Sequence, residues 1–147
     1  MVKTLTRTND TLGPVLIRLA LGVVIFAHGA QKALGWFGGG GWTGTIGFFT
    51  AQLGVPAFVA ALVILGEFLG AIGLVTGTLT RIAAAGIAVI MAGAVLMVHM
   101  PHGFFMNWYG TQAGEGFEFG ILATAMAISL VVTGAGAWSV DRSLATR

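Results

Sequence analysis

Three histidines, one central glutamate and a lysine near the end of an apolar segment stand out in a chain otherwise almost free of charge. The stretch "RLALGVVIFAHGAQKALGWFGGGGW" carries Arg18, His28 and Lys32 on one apolar segment. Glu67 sits in the middle of a second such segment, His99 and His102 flank Pro101, and Glu115 and Glu118 open a later one. At about 100° per residue, Arg18, His28 and Lys32 share one side of a helix. Imidazole and ammonium N–H groups can hydrogen-bond a carbonyl oxygen, and a carboxylate can pass protons. Trp36, Phe104, Phe105 and Trp108 can wall a flat ring. The combination suits a pocket for a quinone-type ligand. Its expected ligand-binding residues are His28, Lys32, Glu67, His99, His102, Glu118, Trp36 and Phe105. Glu67 is the natural counter-charge for Arg18 or Lys32, and an Arg18–Glu67 pair is expected to lock two helices together.

Other chemistries fit less well. His28, His99, His102 and Glu118 are ligand types suited to zinc, iron or copper. However, Pro101 breaks the helix between the two rings of His-Met-Pro-His, so they need not share a face, and no metal is assigned. Nucleophilic catalysis has little support, because the chain has no cysteine, no G-x-S-x-G and no serine near the cluster.

What must position these groups is a membrane. The 147 residues are 56% hydrophobic and only 8% charged, against roughly 25% charged in a soluble domain. Mean hydropathy is +0.93. A pI near 9.7 rests on a surplus of only two charges, with no basic run to follow phosphates, so nucleic acid is excluded as a partner. The absence of cysteine excludes disulfides, thiol relays and thiolate-bound clusters within the chain.

Four apolar stretches are each about 20 residues, the length that crosses a bilayer. They run from about Val15 to Leu34, Pro56 to Gly77, Ile82 to Met100 and Phe117 to Trp138. The expected fold is all-α, a four-transmembrane-helix antiparallel bundle forming one domain over residues 1–147. The apolar stretch after Pro14 lacks a small-residue cleavage site followed by a polar chain, and reads as a retained first span. Lys3, Arg7, Arg81, Arg142 and Arg147 fall at one end of such a bundle, which predicts cytoplasmic N and C termini. The cluster then lies at the outer, periplasmic end.

In the first outer loop, "WTGTIGFFTAQLG" places Ile46, Phe49 and Leu53 at helical spacing behind Thr43 as an N-cap. It predicts a short interfacial helix anchored by Trp36 and Trp42. Gly66, Gly70, Gly73 and Gly77 on the second span, and Ala84, Ala88 and Ala92 on the third, predict close helix contacts.

Four stretches carry a family resemblance: "RLALGVVIFAHGAQKALGWFGG", "GEFLGAIGLVTGTLTR", "HMPHGFFMNW" followed by "GEGFEFGIL", and "GAGAWSVD". In this order, between four spans, they resemble the DoxX family of small bacterial membrane proteins over nearly the whole chain. The resemblance implies a multi-pass protein of the bacterial inner membrane, with family positions falling on Arg18, His28, Gly29, Lys32, Glu67, Arg81 and Glu118. It also implies quinone-linked redox chemistry or oxidative-stress handling, as a subunit or an enzyme, with a quinone as the implied cofactor. Two alternatives stay open. One is a non-catalytic scaffold anchoring soluble redox enzymes; the other is a small transporter or metal-handling protein. Besides the lipid bilayer, soluble redox enzymes and a second copy of the chain are the partners compatible with the sequence.

Overall fold

The computed structural model describes residues 6–8 and 10–146; Lys3 and Arg147, counted above in the charge bias, lie outside the described residues. Six α-helices follow in order: α1 (Gly13–Leu34), α2 (Gly41–Leu53), α3 (Ala57–Thr76), α4 (Thr80–Ala94), α5 (Glu118–Thr133) and α6 (Val140–Ala145). No strand occurs among the described residues. Helices α1, α3, α4 and α5 form the bundle. Counting the turns that extend α4 to His102, the first three are long and apolar enough to cross a membrane, whereas α5 is a shorter apolar helix.

The outside of the bundle is as apolar as its inside. Leu21, Ile25, Leu74, Ile87, Ala127 and Leu130 fill the core, while Leu16, Val23, Leu62, Val89, Leu122 and Val132 are exposed. Only lipid makes such an exterior favourable over so much of the surface.

The small residues set the register. A Cβ on Gly22 would lie 2.9 Å from Val75, and one on Gly29 2.8 Å from the Phe68 backbone, so α1 and α3 run antiparallel in close contact. A Cβ on Gly66 would lie 2.7 Å from Ile90, and one on Gly73 3.2 Å from Ala83, which fixes α3 antiparallel to α4. Both described ends of the chain meet at one end of the bundle, called here the terminal end: Gly136 N–H donates to Thr8 Oγ1 (2.6 Å) and Ala137 N–H to the Thr11 carbonyl (3.1 Å). Arg7, Arg81 and Arg142 are at this end, and Lys32 lies towards the opposite, loop end.

Three boundaries differ from expectation, each for a local reason. Helix α2 starts behind Gly40 with no side-chain cap, and Thr43, the expected cap, is an exposed residue inside it; Thr45 is the residue it buries. Helix α4 loosens into a π-turn over Val95–His99 and a 3₁₀ turn over Met100–His102. The Pro101 ring would clash with the carbonyl four residues back in a regular helix, and the wider turn relieves it. The fourth stretch, expected to run to Trp138, is helical only to Thr133. There Gly134 and Gly136 take φ of 81° and 74°, and the chain folds back across the terminal end.

Candidate functional site

The close approach of α1 to α3 at Gly29 brings Lys32, in the last turn of α1, beside Glu67. Lys32 Nζ lies 2.6 Å from Glu67 Oε2. The Glu67 side chain is 3% exposed and that of Lys32 26%, so the acid is inside the bundle and the base reaches to it from the rim. An unpaired carboxylate at this position would be costly, and the ammonium removes that cost. The lysine is also favourably placed as a cation at the C-terminal end of a helix. Helix α2 braces the spot, since Thr45 Oγ1 donates to the Lys32 carbonyl at 3.3 Å.

His28 lies one turn before Lys32 on the same face of α1. It is exposed, its ring centroid sits 6.0 Å from that of Phe119 on α5, and Lys32, Glu67 and His99 all lie within electrostatic reach. The site is therefore a buried ion pair with an accessible imidazole beside it. It can offer N–H donors to an anion or a carbonyl oxygen, and it can exchange protons. Phe119 was not among the expected residues, nor was the Phe26–Phe68 stack across α1 and α3 (5.4 Å). The only sequence signal for them was aromatic residues two positions before His28 and one after Glu67 and Glu118.

His99, His102 and Glu118 make their contacts with the loop between α4 and α5. His99 Nδ1 lies 2.9 Å from the Glu115 carbonyl, and the His102 ring packs against Gly114. Glu118 Oε1 accepts from the Met106 N–H (2.8 Å) and from Trp108 Nε1 (3.3 Å), and Glu115 Oε2 accepts from the Asn107 N–H (2.7 Å). These carboxylates satisfy backbone donors of an irregular segment that has no ladder to bind them. Trp36 pairs edge-on with Phe37, and Phe105 with Phe104; Trp36 and Phe105 are both exposed. Among the described residues no three His, Cys, Asp or Glu side chains converge to hold a metal, so His28, His99, His102 and Glu118 are not assembled as a ligand set.

The expected Arg18–Glu67 pair is replaced by a different arrangement. With the α1–α3 register above, Arg18 stands level with the end of α3, roughly 18 Å along the axis from Glu67. The guanidinium is 2% exposed and donates only to backbone carbonyls. Nε binds Ala135 (3.0 Å), Nη1 binds Leu74 (3.1 Å) and Val75 (2.6 Å), and Nη2 binds Ala137 (3.4 Å) and Trp138 (2.7 Å). All five N–H groups are thus used. Arg18 closes the C-terminal end of α3, where carbonyls lack helical partners, and ties the glycine-rich 134–138 turn to it. Asp141 completes the plug by accepting from the N–H groups of Leu79 (2.7 Å) and Thr80 (2.8 Å) at the start of α4. These contacts explain why "GAGAWSVD" is needed at all.

Two recesses lie away from His28 and Lys32. One is a shallow, open groove of about 910 Å³ on the outer side of α3 and α4, and the other, about 450 Å³, is at the terminal end beside Trp138 and Arg142.

Comparison with known proteins agrees with this architecture. The DoxX family model matches residues 13–100, which include the first three bundle helices and the His28, Lys32 and Glu67 positions. "Putative oxidoreductase CatD" of Bacillus subtilis is 29% identical over 130 residues, covering 88% of this chain and 85% of that protein. "Inner membrane protein YqjF" of Escherichia coli is 34% identical over 135 residues, covering 92% and 94%. No solved structure matches the chain. With its apolar helices and this match across most of its length, the chain is an integral membrane protein belonging to the DoxX family.

Proposed function

We propose that the protein is a subunit or enzyme of quinone-linked oxidoreduction in the bacterial inner membrane, binding its ring at the loop end beside His28, Lys32 and Glu67. The observation that carries this reading is the 2.6 Å Lys32–Glu67 pair with an accessible imidazole one turn away. The donor set fits a quinone in kind. His28 and Lys32 can donate to a carbonyl oxygen, hydrogen bonds that strengthen as negative charge develops on it. Glu67 orients Lys32, and Phe119 offers an aromatic ring beside His28. A bound quinone would supply two-electron, two-proton redox chemistry, with its electrons delivered by a partner protein, since the chain has no cysteine to relay them. The oxidoreductase name of the Bacillus relative and the inner-membrane name of the Escherichia relative support the same assignment.

The orientation follows the basic residues. Arg7, Arg81 and Arg142 at the terminal end favour a cytoplasmic location for both termini, with α5 as a shortened fourth crossing and the His28 site facing the periplasm. A second reading is favoured by one observation. The loop after α4 presents Trp108 and Tyr109 at 78% and 91% exposure, a surface on which a scaffold could dock soluble redox enzymes. Solvent extraction of the purified protein, with mass spectrometry of the extract, separates the two. The oxidoreduction reading predicts a retained quinone that is lost in His28→Ala. A wild-type protein that retains no quinone and binds no added short-chain quinone would overturn the oxidoreduction reading and favour the scaffold.

A further inference from the structure

The groove on α3 and α4 has a cation at one end. Its floor is low because Gly66 contributes no side chain and because Gly86 is followed outward by open space, with nothing within 4 Å of a Cβ there. Val63, Ile82 and Val89 line it, and Arg81 closes it at the terminal end. Arg81 is held in place rather than free to swing. Its Nε and Nη2 donate to the Arg7 carbonyl (3.2 and 3.1 Å), and Nη1 donates to the Val131 carbonyl. Those are three of five N–H groups. No carboxylate pairs with it among the described residues: Asp141 is taken by the α4 amides, and Asp10 by Arg142. A fixed positive charge, with no carboxylate partner among the described residues, thus stands at the depth where the apolar part of α4 begins, with a trough running from it into the hydrocarbon.

We propose that this groove is a binding site for an anionic glycerophospholipid, its phosphate at Arg81 and one acyl chain along Val63, Gly66, Ile82, Gly86 and Val89. The charge selects the head and the apolar trough selects the tail; a free phosphate would use only the first. A second copy of the chain fits worse. Packing two α4 faces about an axis along the membrane normal would bring two Arg81 side chains to the same depth, where they repel. Basic sites at the ends of membrane helices recognise lipid headgroups on the same principle.

The test is native mass spectrometry of the purified full chain in detergent, titrated with dioleoylphosphatidylglycerol, with dioleoylphosphatidylcholine and with inorganic phosphate. The expected result is retention of phosphatidylglycerol about fivefold over phosphatidylcholine, the worth of one arginine at a membrane surface. Arg81→Gln abolishes that preference. Gly86→Phe, whose Cβ would have no heavy atom within 4 Å, puts a ring into the groove; it lowers binding of both lipids and covers the case in which Arg81→Gln does not fold. Equal retention of the two lipids, unchanged binding in Gly86→Phe, phosphate adducts that match the lipid adducts, or a lipid-free dimer would each overturn the assignment.

Discussion

Replacing Arg18 with methionine keeps most of the side-chain volume and removes all five hydrogen bonds to the α3 terminus and the 135–138 turn. The bonds to Ala135 and Ala137 are buried, so those carbonyls lose their partner where water cannot replace it, whereas the Leu74 carbonyl keeps the Gly77 N–H at 3.2 Å. At the low end of about 1 kcal/mol for each buried unsatisfied group, the loss comes to about 2 kcal/mol. The carbonyls of Val75 and Trp138 are at more accessible positions and can turn to water, so they add little. Arg18→Lys offers three donors in place of five and should recover about half of the loss. Reversible unfolding in mixed micelles of mild detergent and dodecyl sulfate reads the difference directly. Arg18→Met within about 1 kcal/mol of wild type would refute the view that the guanidinium holds the terminal end together.

Asp141→Ala strips two amides at the start of α4 of their acceptor and should cost about 2 kcal/mol in the same assay, with loosening of the 77–80 turn visible as faster amide exchange. Gly29→Ala places a methyl 2.8 Å from the Phe68 backbone; it should cost about 1–3 kcal/mol by forcing α1 from α3, and should lengthen the Lys32–Glu67 contact, seen in the vibrational band of the Glu67 carboxylate. Single cysteines at Ser143 and Gly40, both exposed, should react with an impermeant thiol reagent from opposite sides of the membrane. Labelling from the same side contradicts the orientation.

Much of the architecture is legible in the sequence because lipid imposes a long apolar period that few other environments would select. The first three spans, the α2 helix and the glycine faces of α3 all follow from that period and from small residues four apart. Partner choice is less legible. Glu67 pairs with Lys32 and not Arg18 because of an inter-helix register that one close contact at Gly29 decides. No property of either arginine or glutamate alone reveals it. Glu115 and Glu118 carry the same chemistry as Glu67, yet they bind amides only eight to twelve residues away in their own loop. An irregular segment must satisfy its backbone locally, and that demand competes with any pocket. Arg18 was legible as a buried charge needing a partner. Its partner turned out to be backbone, signalled by the glycines of "GAGAWSVD" through the left-handed turns they permit.

The central claim is that the loop-end polar group exists to hold a ligand, with Glu67 supporting it and His28 touching the ligand. Affinity for a soluble short-chain quinone, measured beside the unfolding free energy of the same preparations, tests it most directly. Glu67→Gln leaves the lysine without its counter-charge and should cost about 3 kcal/mol, the low end for a buried pair because Lys32 is partly accessible. It should weaken the quinone as well. His28→Ala should weaken binding about tenfold, the worth of one hydrogen bond at the upper end, with unfolding unchanged because the ring is exposed. A His28→Ala protein as unstable as Glu67→Gln, with quinone affinity equal to that of wild type, would contradict the account.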